Sequence, residues 1–167
     1  SPAKERTDQT RLQFRLDKEV DHRGAFAPWL NALWPLSGME IPAGTSNASF
    51  TQEGDPRDFF ELLNPSLELE AGFYIHSAMM HMHRLGAGAE LYVQRADGSR
   101  RPLLSVSDWD FNWQLNYQLE EAVFFEEGDS LSLTCRFDNS GKDAVTTDWG
   151  EGTDDEMCVA NLYISLP

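Results

Sequence analysis

Apolar and polar residues alternate along much of the chain, with the two-residue period that is typical of half-buried β-strands. Leu12, Phe14 and Leu16 form the first alternating run and predict a strand near the N-terminus. Further strands are predicted over residues 48–52, 67–71, 73–83, 90–94, 103–106, 117–125, 130–137 and 158–166. Short strands at this spacing, with almost no helix between them, predict an all-β fold, either a two-sheet antiparallel sandwich or a jelly roll.

Helix signals are confined to one short segment. Asp55 is the predicted N-cap and Pro56 the first helical position of a helix that continues through residues 59–63. Two prolines in the aromatic segment 26–36 argue against a long helix or a central strand, so this segment is predicted to be irregular. The dipeptide Asp97-Gly98 indicates a hairpin turn, with a loop longer than two residues, between two of the predicted strands.

Length and composition favour one folded domain over residues 1–167, with residues 1–10 flexible. The hydrophobic fraction of 41% excludes a disordered acidic tail. The net charge of −15 would repel nucleic acid and anionic membranes, which are therefore not expected as partners. No run approaches the roughly 20 apolar residues of a membrane span. The N-terminal residues lack an apolar signal core and resemble the start of a mature chain.

The sequence Met79-Met80-His81-Met82-His83 is the first candidate for chemistry. On an unbulged strand, His81 and His83 share a face with Met79, whereas Met80 and Met82 point to the core. A His-x-His pair is a weak signal by itself, because such pairs also occur without a metal. A thioether from a distant methionine would make the site soft and favour Cu(I).

The two other histidines and the two cysteines are less informative alone. His76 faces away from His81 unless a bulge intervenes, and His22 is interpreted as a surface residue. The count of two cysteines, Cys135 and Cys158, is compatible with one disulfide or with two buried thiols.

Several motifs occur in a distinctive order. They are His81-Met82-His83-Arg84-Leu85-Gly86, Trp109-Asp110-Phe111-Asn112-Trp113-Gln114, Gly128-Asp129, Cys135-Arg136-Phe137-Asp138-Asn139 and Thr153-Asp154-Asp155-Glu156-Met157-Cys158. Over roughly residues 40–165 this order resembles the C-terminal, catalytic-copper domain of the type II, ascorbate-dependent copper monooxygenases. That family includes peptidylglycine α-hydroxylating monooxygenase and dopamine β-monooxygenase, and the resemblance is closest to bacterial sequences of the group.

The resemblance implies a fold, a site and a reaction. The implied fold is a jelly-roll β-sandwich, and the implied copper ligands, which are also the catalytic residues, are His81, His83 and Met157. One copper ion, an external reductant such as ascorbate, O₂ and a small organic substrate are the implied cofactors and partners. The family also pairs the cysteines that match Cys135 and Cys158, and such a disulfide implies an extracellular or periplasmic location.

Three features depart from the family pattern. Two-copper members carry a further domain with three histidine ligands, which His22 and His76 cannot supply. Either this chain is an excised domain, or its electrons come from a small reductant or from a donor domain or protein, or it is not a monooxygenase. The peptide-amidating branch has an arginine at the position of Met79 and a tyrosine at that of Asn161, so a peptide C-terminus is not expected as substrate. Met79 is also a further candidate thioether, although its position favours a pocket wall.

The surroundings of these residues leave alternatives open. Asp154, Asp155 and Glu156 are interpreted either as a solvated loop or as groups that orient a histidine N–H. Trp109 and Trp113 are predicted to be core or pocket wall, and Gln114 is a candidate polar group of the pocket.

Three functional hypotheses follow. The leading one is a copper oxidoreductase domain that hydroxylates an organic substrate with O₂. The alternative is a non-catalytic copper-binding or electron-transfer module of a larger redox protein. A third hypothesis keeps the fold and assigns a ligand-binding or structural role.

Overall fold

The computed structural model describes residues 9–167, within which eight strands and two short helices are formed. Residues 1–8 lie outside the described residues, so the structure does not test the prediction that they are flexible. In chain order the elements are β1 (Gly24–Trp29), α1 (Trp34–Ser37), β2 (Thr45–Gly54), α2 (Arg57–Leu63), β3 (Phe73–His81), β4 (Gly86–Gln94), β5 (Arg100–Val106), β6 (Tyr117–Phe125), β7 (Ser130–Asn139) and β8 (Val159–Ser165).

The strands form two four-stranded antiparallel sheets. One sheet has the order β1-β8-β3-β6 and the other the order β2-β7-β4-β5, so the chain passes repeatedly from one sheet to the other. The predicted all-β antiparallel sandwich is therefore confirmed, and the winding agrees with the eight-stranded jelly roll that the resemblance implied. No helix of the described residues is long and apolar enough to cross a membrane.

The core lies between the two sheets and is built from alternate residues of their inner faces. On β3 the buried residues include Phe73 and Ile75, and the Phe73 ring stacks on Phe125 of β6 with 4.9 Å between centroids. In the same sheet, β8 contributes Ala160, Leu162 and Ile164. The opposite sheet contributes Leu131, Leu133 and Phe137 from β7.

A disulfide joins Cys135 to Cys158, as the family resemblance implied. Cys135 belongs to β7 in one sheet, and Cys158 directly precedes β8 in the other. The bond therefore links the two layers through the core, where both cysteines are buried.

Two predicted strands are wrong. Leu12, Phe14 and Leu16 lie in no strand and are 73–86% exposed, because the alternating run pairs with no sheet in the described part of the chain. The segment 67–71 is irregular at residues 67–69 and forms a turn at residues 70–71, although Leu67 and Leu69 within it are buried. The alternation in this segment shows which side chains face the core. It does not show the backbone pairing that defines a strand.

The aromatic segment 26–36 is more regular than predicted. It contains most of β1, in which Pro28 is tolerated because β1 is an edge strand. It also contains the start of α1, a second short helix, with Pro35 in the first turn. The predicted helix near Pro56 is present as α2, but Pro56 is its N-cap instead of its first residue.

Candidate metal centre

His81 and His83 lie together at the end of β3, on the side away from the core. His81 is the last residue of β3 and is half-buried, whereas His83 is buried in the turn that follows. Their ring centroids are 5.0 Å apart. Met80 and Met82 are buried in the core, so the strand alternation predicted from the sequence holds through this segment.

Both imidazole rings are held through Nδ1. His81 Nδ1 is 2.7 Å from Gln114 Oε1, and His83 Nδ1 is 2.9 Å from the backbone oxygen of Asp155. The Gln114 amide is fixed in this orientation because its Nε2 donates to the backbone oxygen of Phe111. Since both partners are acceptors, each Nδ1 carries the proton and donates, which leaves the Nε2 lone pair of each ring for a metal ion.

The loop that carries Gln114 packs directly on the histidine turn. Trp109 Nε1 donates to the backbone oxygen of His83 at 3.0 Å. The indole also lies against Gly86, where an added Cβ would be 2.6 Å from Trp109 Cδ1. Trp109 is half-buried and lines a pocket, which agrees with the predicted pocket wall, and a side chain at Gly86 would displace it from His83.

Glu156 holds the backbone of the same turn. Its side chain is fully buried, with Oε2 accepting from the N–H of His83 at 2.8 Å and Oε1 accepting from the N–H of Leu85. Burial raises the pKa of the Glu156 carboxyl above its ordinary value, and the two backbone N–H groups oppose this shift. The result is a carboxylate that sets the path of the backbone and does not point into solvent.

Met157 lies in the segment that runs beside the histidines. Its neighbours are Glu156, bound to the histidine turn, and Cys158, fixed by the disulfide. The next residue, Val159, is the β8 partner of His81. The chain therefore passes next to both histidines at Met157, whose side chain is half-buried.

The donor set near the histidines fits a soft metal. Within residues 9–167 there is no group of three or more His, Cys, Asp and Glu side chains arranged to hold a metal ion. A three-ligand site built on His81 and His83 therefore needs a donor of another type, and the thioether of Met157 is the neighbouring candidate. Two imidazoles and a thioether are a set that copper accepts more readily than magnesium or calcium.

Met79 and Asn161 lie beside this site as direct cross-strand partners in β3 and β8. Met79 is two residues before His81 on the same strand, and both Met79 and Asn161 are half-buried. The two departures from the peptide-amidating pattern thus fall at one place, adjacent to His81, and neither provides a positive charge.

The other two histidines lie away from the pair. A bulge occurs in β3 between Ile75 and Ser77, and His76 is its extra residue. The His76 ring hydrogen-bonds to Ser165 and lies near Tyr163, so the bulge does not bring it to His81. His22 is exposed, as predicted.

The three acidic residues before Met157 differ from one another. Asp154 is solvated, since its side chain is 92% exposed and, within residues 9–167, forms an ion pair only with the exposed Arg84. Asp155 orients His83 through its backbone oxygen, and Glu156 is buried. The solvated-loop interpretation is therefore wrong for Glu156. The alternation of side chains along an extended chain could have indicated that Glu156 is buried, because Glu156 lies two residues before a cysteine that faces the core.

Comparison with known proteins matches most of this chain to one family. Residues 60–165 match the family model described as copper type II ascorbate-dependent monooxygenase, C-terminal domain. The chain is 32% identical over 133 residues to DBH-like monooxygenase protein 1 of Homo sapiens and 31% identical over 132 residues to its counterpart in Mus musculus. Each match covers 78% of this chain and 21% of the relative, so the chain spans about a fifth of the length of these relatives.

Proposed function

The chain belongs to the copper type II ascorbate-dependent monooxygenase family, and on that premise we propose that it is a copper-binding oxidoreductase domain of a monooxygenase. In this proposal His81, His83 and Met157 hold one copper ion. The observation that carries it is the pair of neighbouring imidazoles whose Nδ1 atoms are both engaged by oxygen acceptors. Such an arrangement leaves the Nε2 lone pairs of two rings, whose centroids are 5.0 Å apart, available to a metal ion.

The surrounding residues have distinct roles in this proposal. Gln114 and the backbone oxygen of Asp155 hold the two rings in the tautomer that leaves Nε2 free. Glu156, which directly precedes Met157, binds the backbone of the turn that follows the histidines. The thioether favours the reduced ion, because sulfur is a soft ligand. Two ligands therefore come from the end of β3 and the third from the segment before β8.

When bound, copper supplies one-electron redox chemistry with O₂ at a site that leaves a coordination position open. Hydroxylation of a C–H bond uses one O₂, two electrons and two protons, and yields the alcohol and water. The electrons come from an external reductant such as ascorbate, or from an electron-donor domain or protein. Of the four histidines in the chain, His22 and His76 are the two that remain, and two histidines cannot supply an electron-transfer centre with three histidine ligands.

The substrate is a small organic molecule that does not present a carboxylate to this face. Met79 and Asn161, which lie beside His81, offer an apolar surface and a neutral amide. A carboxylate would require a positively charged or multiply donating partner there. The Cys135–Cys158 disulfide and the family assignment support a secreted or lumenal location, extracellular or periplasmic.

Oxygen uptake by the copper-loaded chain tests the proposal. With ascorbate and a panel of uncharged organic substrates, we expect uptake and hydroxylated product at one copper per chain. His81→Ala should abolish both, whereas His76→Ala, the control histidine on the same strand, should retain them. Binding of one copper ion without any substrate oxidation would contradict a catalytic role. Unchanged uptake in His81→Ala would contradict the site.

A further inference from the structure

A pocket of about 160 Å³ opens beneath the loop that follows β5, next to the histidine site. The loop itself provides most of the wall, and Met80 from the core side of β3 also lines it. The lining residues that matter here are Trp109, Trp113, Tyr117, Asp108, Asp110 and Gln114.

The wall of this pocket combines aromatic rings with free negative charge. Two indoles and a phenol line it, and Trp113 is 65% exposed instead of being packed in the core. Asp108 and Asp110 form no ion pair within residues 9–167, and no lysine or arginine is among the lining residues. Because Trp113 is exposed, its ring surface is open to a ligand in this pocket.

The chemistry of this wall selects a class of ligand. Aromatic faces attract cations, and the attraction is largest for alkylated ammonium groups that shed water easily. Two uncompensated carboxylates at the same pocket add a negative potential, which the net charge of −15 reinforces. A neutral apolar ligand would use the rings but gain nothing from Asp108 and Asp110.

We propose that this pocket binds an organic cation, with its ammonium group between Trp109, Trp113 and Tyr117 and its charge balanced by Asp108 and Asp110. The bound cation contacts Gln114, whose Oε1 accepts the hydrogen bond from His81. A ligand here is therefore one side chain away from the histidine site without using its Nε2 positions. The binding itself requires no metal, so it is independent of the proposed function.

Calorimetric titration of the 167-residue chain, without copper, tests the proposal. The probes are choline and the uncharged alcohol in which a carbon atom replaces the choline nitrogen. These two molecules have nearly the same shape, so a difference in affinity reports the charge. We expect choline to bind about tenfold more tightly than the alcohol.

Variants locate the binding. Trp113→Ala and Asp108→Asn, both at exposed positions, should weaken choline binding about tenfold and threefold, respectively. Glu53→Gln is the matched control, because Glu53 is an exposed acid on β2, at the opposite edge of the sheet that ends in β5. Equal affinity for choline and the alcohol, no binding of choline, or unchanged binding in Trp113→Ala would each overturn the proposal.

Discussion

At the scale of single residues, the orientation of the two imidazoles depends on side chains that a ligand motif does not contain. The position of Gln114 is decided by two hydrogen bonds, one from His81 and one to the backbone of Phe111. Asp155 acts through its backbone oxygen, for which its side-chain identity is irrelevant. The histidine pair could be predicted from spacing, whereas its partners required the fold.

Gln114→Leu removes the acceptor for His81 Nδ1 while keeping a side chain of similar size. We expect copper affinity to fall about 10- to 100-fold, since the ring loses the group that fixes its tautomer. Competition with a Cu(I) chelator measures this change. Gln118→Leu, an exposed position on β6, should bind copper like the unmodified chain. An unchanged affinity in Gln114→Leu would mean that this hydrogen bond does not orient a ligand.

Glu156→Gln replaces one of the two carboxylate oxygens by an NH₂ group. Either the N–H of His83 or that of Leu85 then faces a donor in a buried site, and we expect a loss of about 1–3 kcal/mol in the free energy of unfolding. Urea denaturation measures it. Asp154→Asn, two residues earlier and solvated, should change stability by less than about 0.5 kcal/mol. Equal stability of the two variants would exclude the role assigned to Glu156.

At the scale of elements, alternation predicted three strands closely and failed for two segments. The strand now defined as β6 was predicted with its observed bounds, and β7 and β8 to within two residues. The run of Leu12, Phe14 and Leu16 has the same pattern but no partner strand in the described residues. The alternation of apolar and polar residues shows which side chains share a face. Whether the segment is a strand of a sheet depends on a neighbouring strand with which its backbone can pair.

The disulfide is a link between the two layers whose contribution to the free energy of unfolding can be measured separately. It closes a loop of 23 residues between β7 and the start of β8, which corresponds to about 3 kcal/mol in the chain-entropy model. Reduction should therefore lower the free energy of unfolding by about this amount, measured with urea in the presence and absence of a thiol reductant. The double variant Cys135→Ser, Cys158→Ser should be insensitive to the reductant. A midpoint that the reductant does not change in the unmodified chain would contradict this estimate.

At the scale of the whole molecule, two sheets joined by one disulfide present the histidine pair on an outer face. His81 and Met79 lie on the side of their sheet that faces away from the core, and Val159 and Asn161 lie opposite them on β8. The family could be inferred from the order of the motifs, and the fold from the alternation of apolar and polar residues. The backbone N–H groups that Glu156 binds and the hydrogen bond between Gln114 and His81 could not, because both are contacts between segments far apart in sequence.

The ligand set is the central claim, and X-ray absorption of the Cu(I)-loaded chain tests it most directly. We predict a copper–sulfur contribution in the unmodified chain that disappears in Met157→Ala and persists in Met79→Ala, the neighbouring methionine on the same face as His81. Retention of the signal in Met157→Ala together with its loss in Met79→Ala would contradict the assignment of Met157.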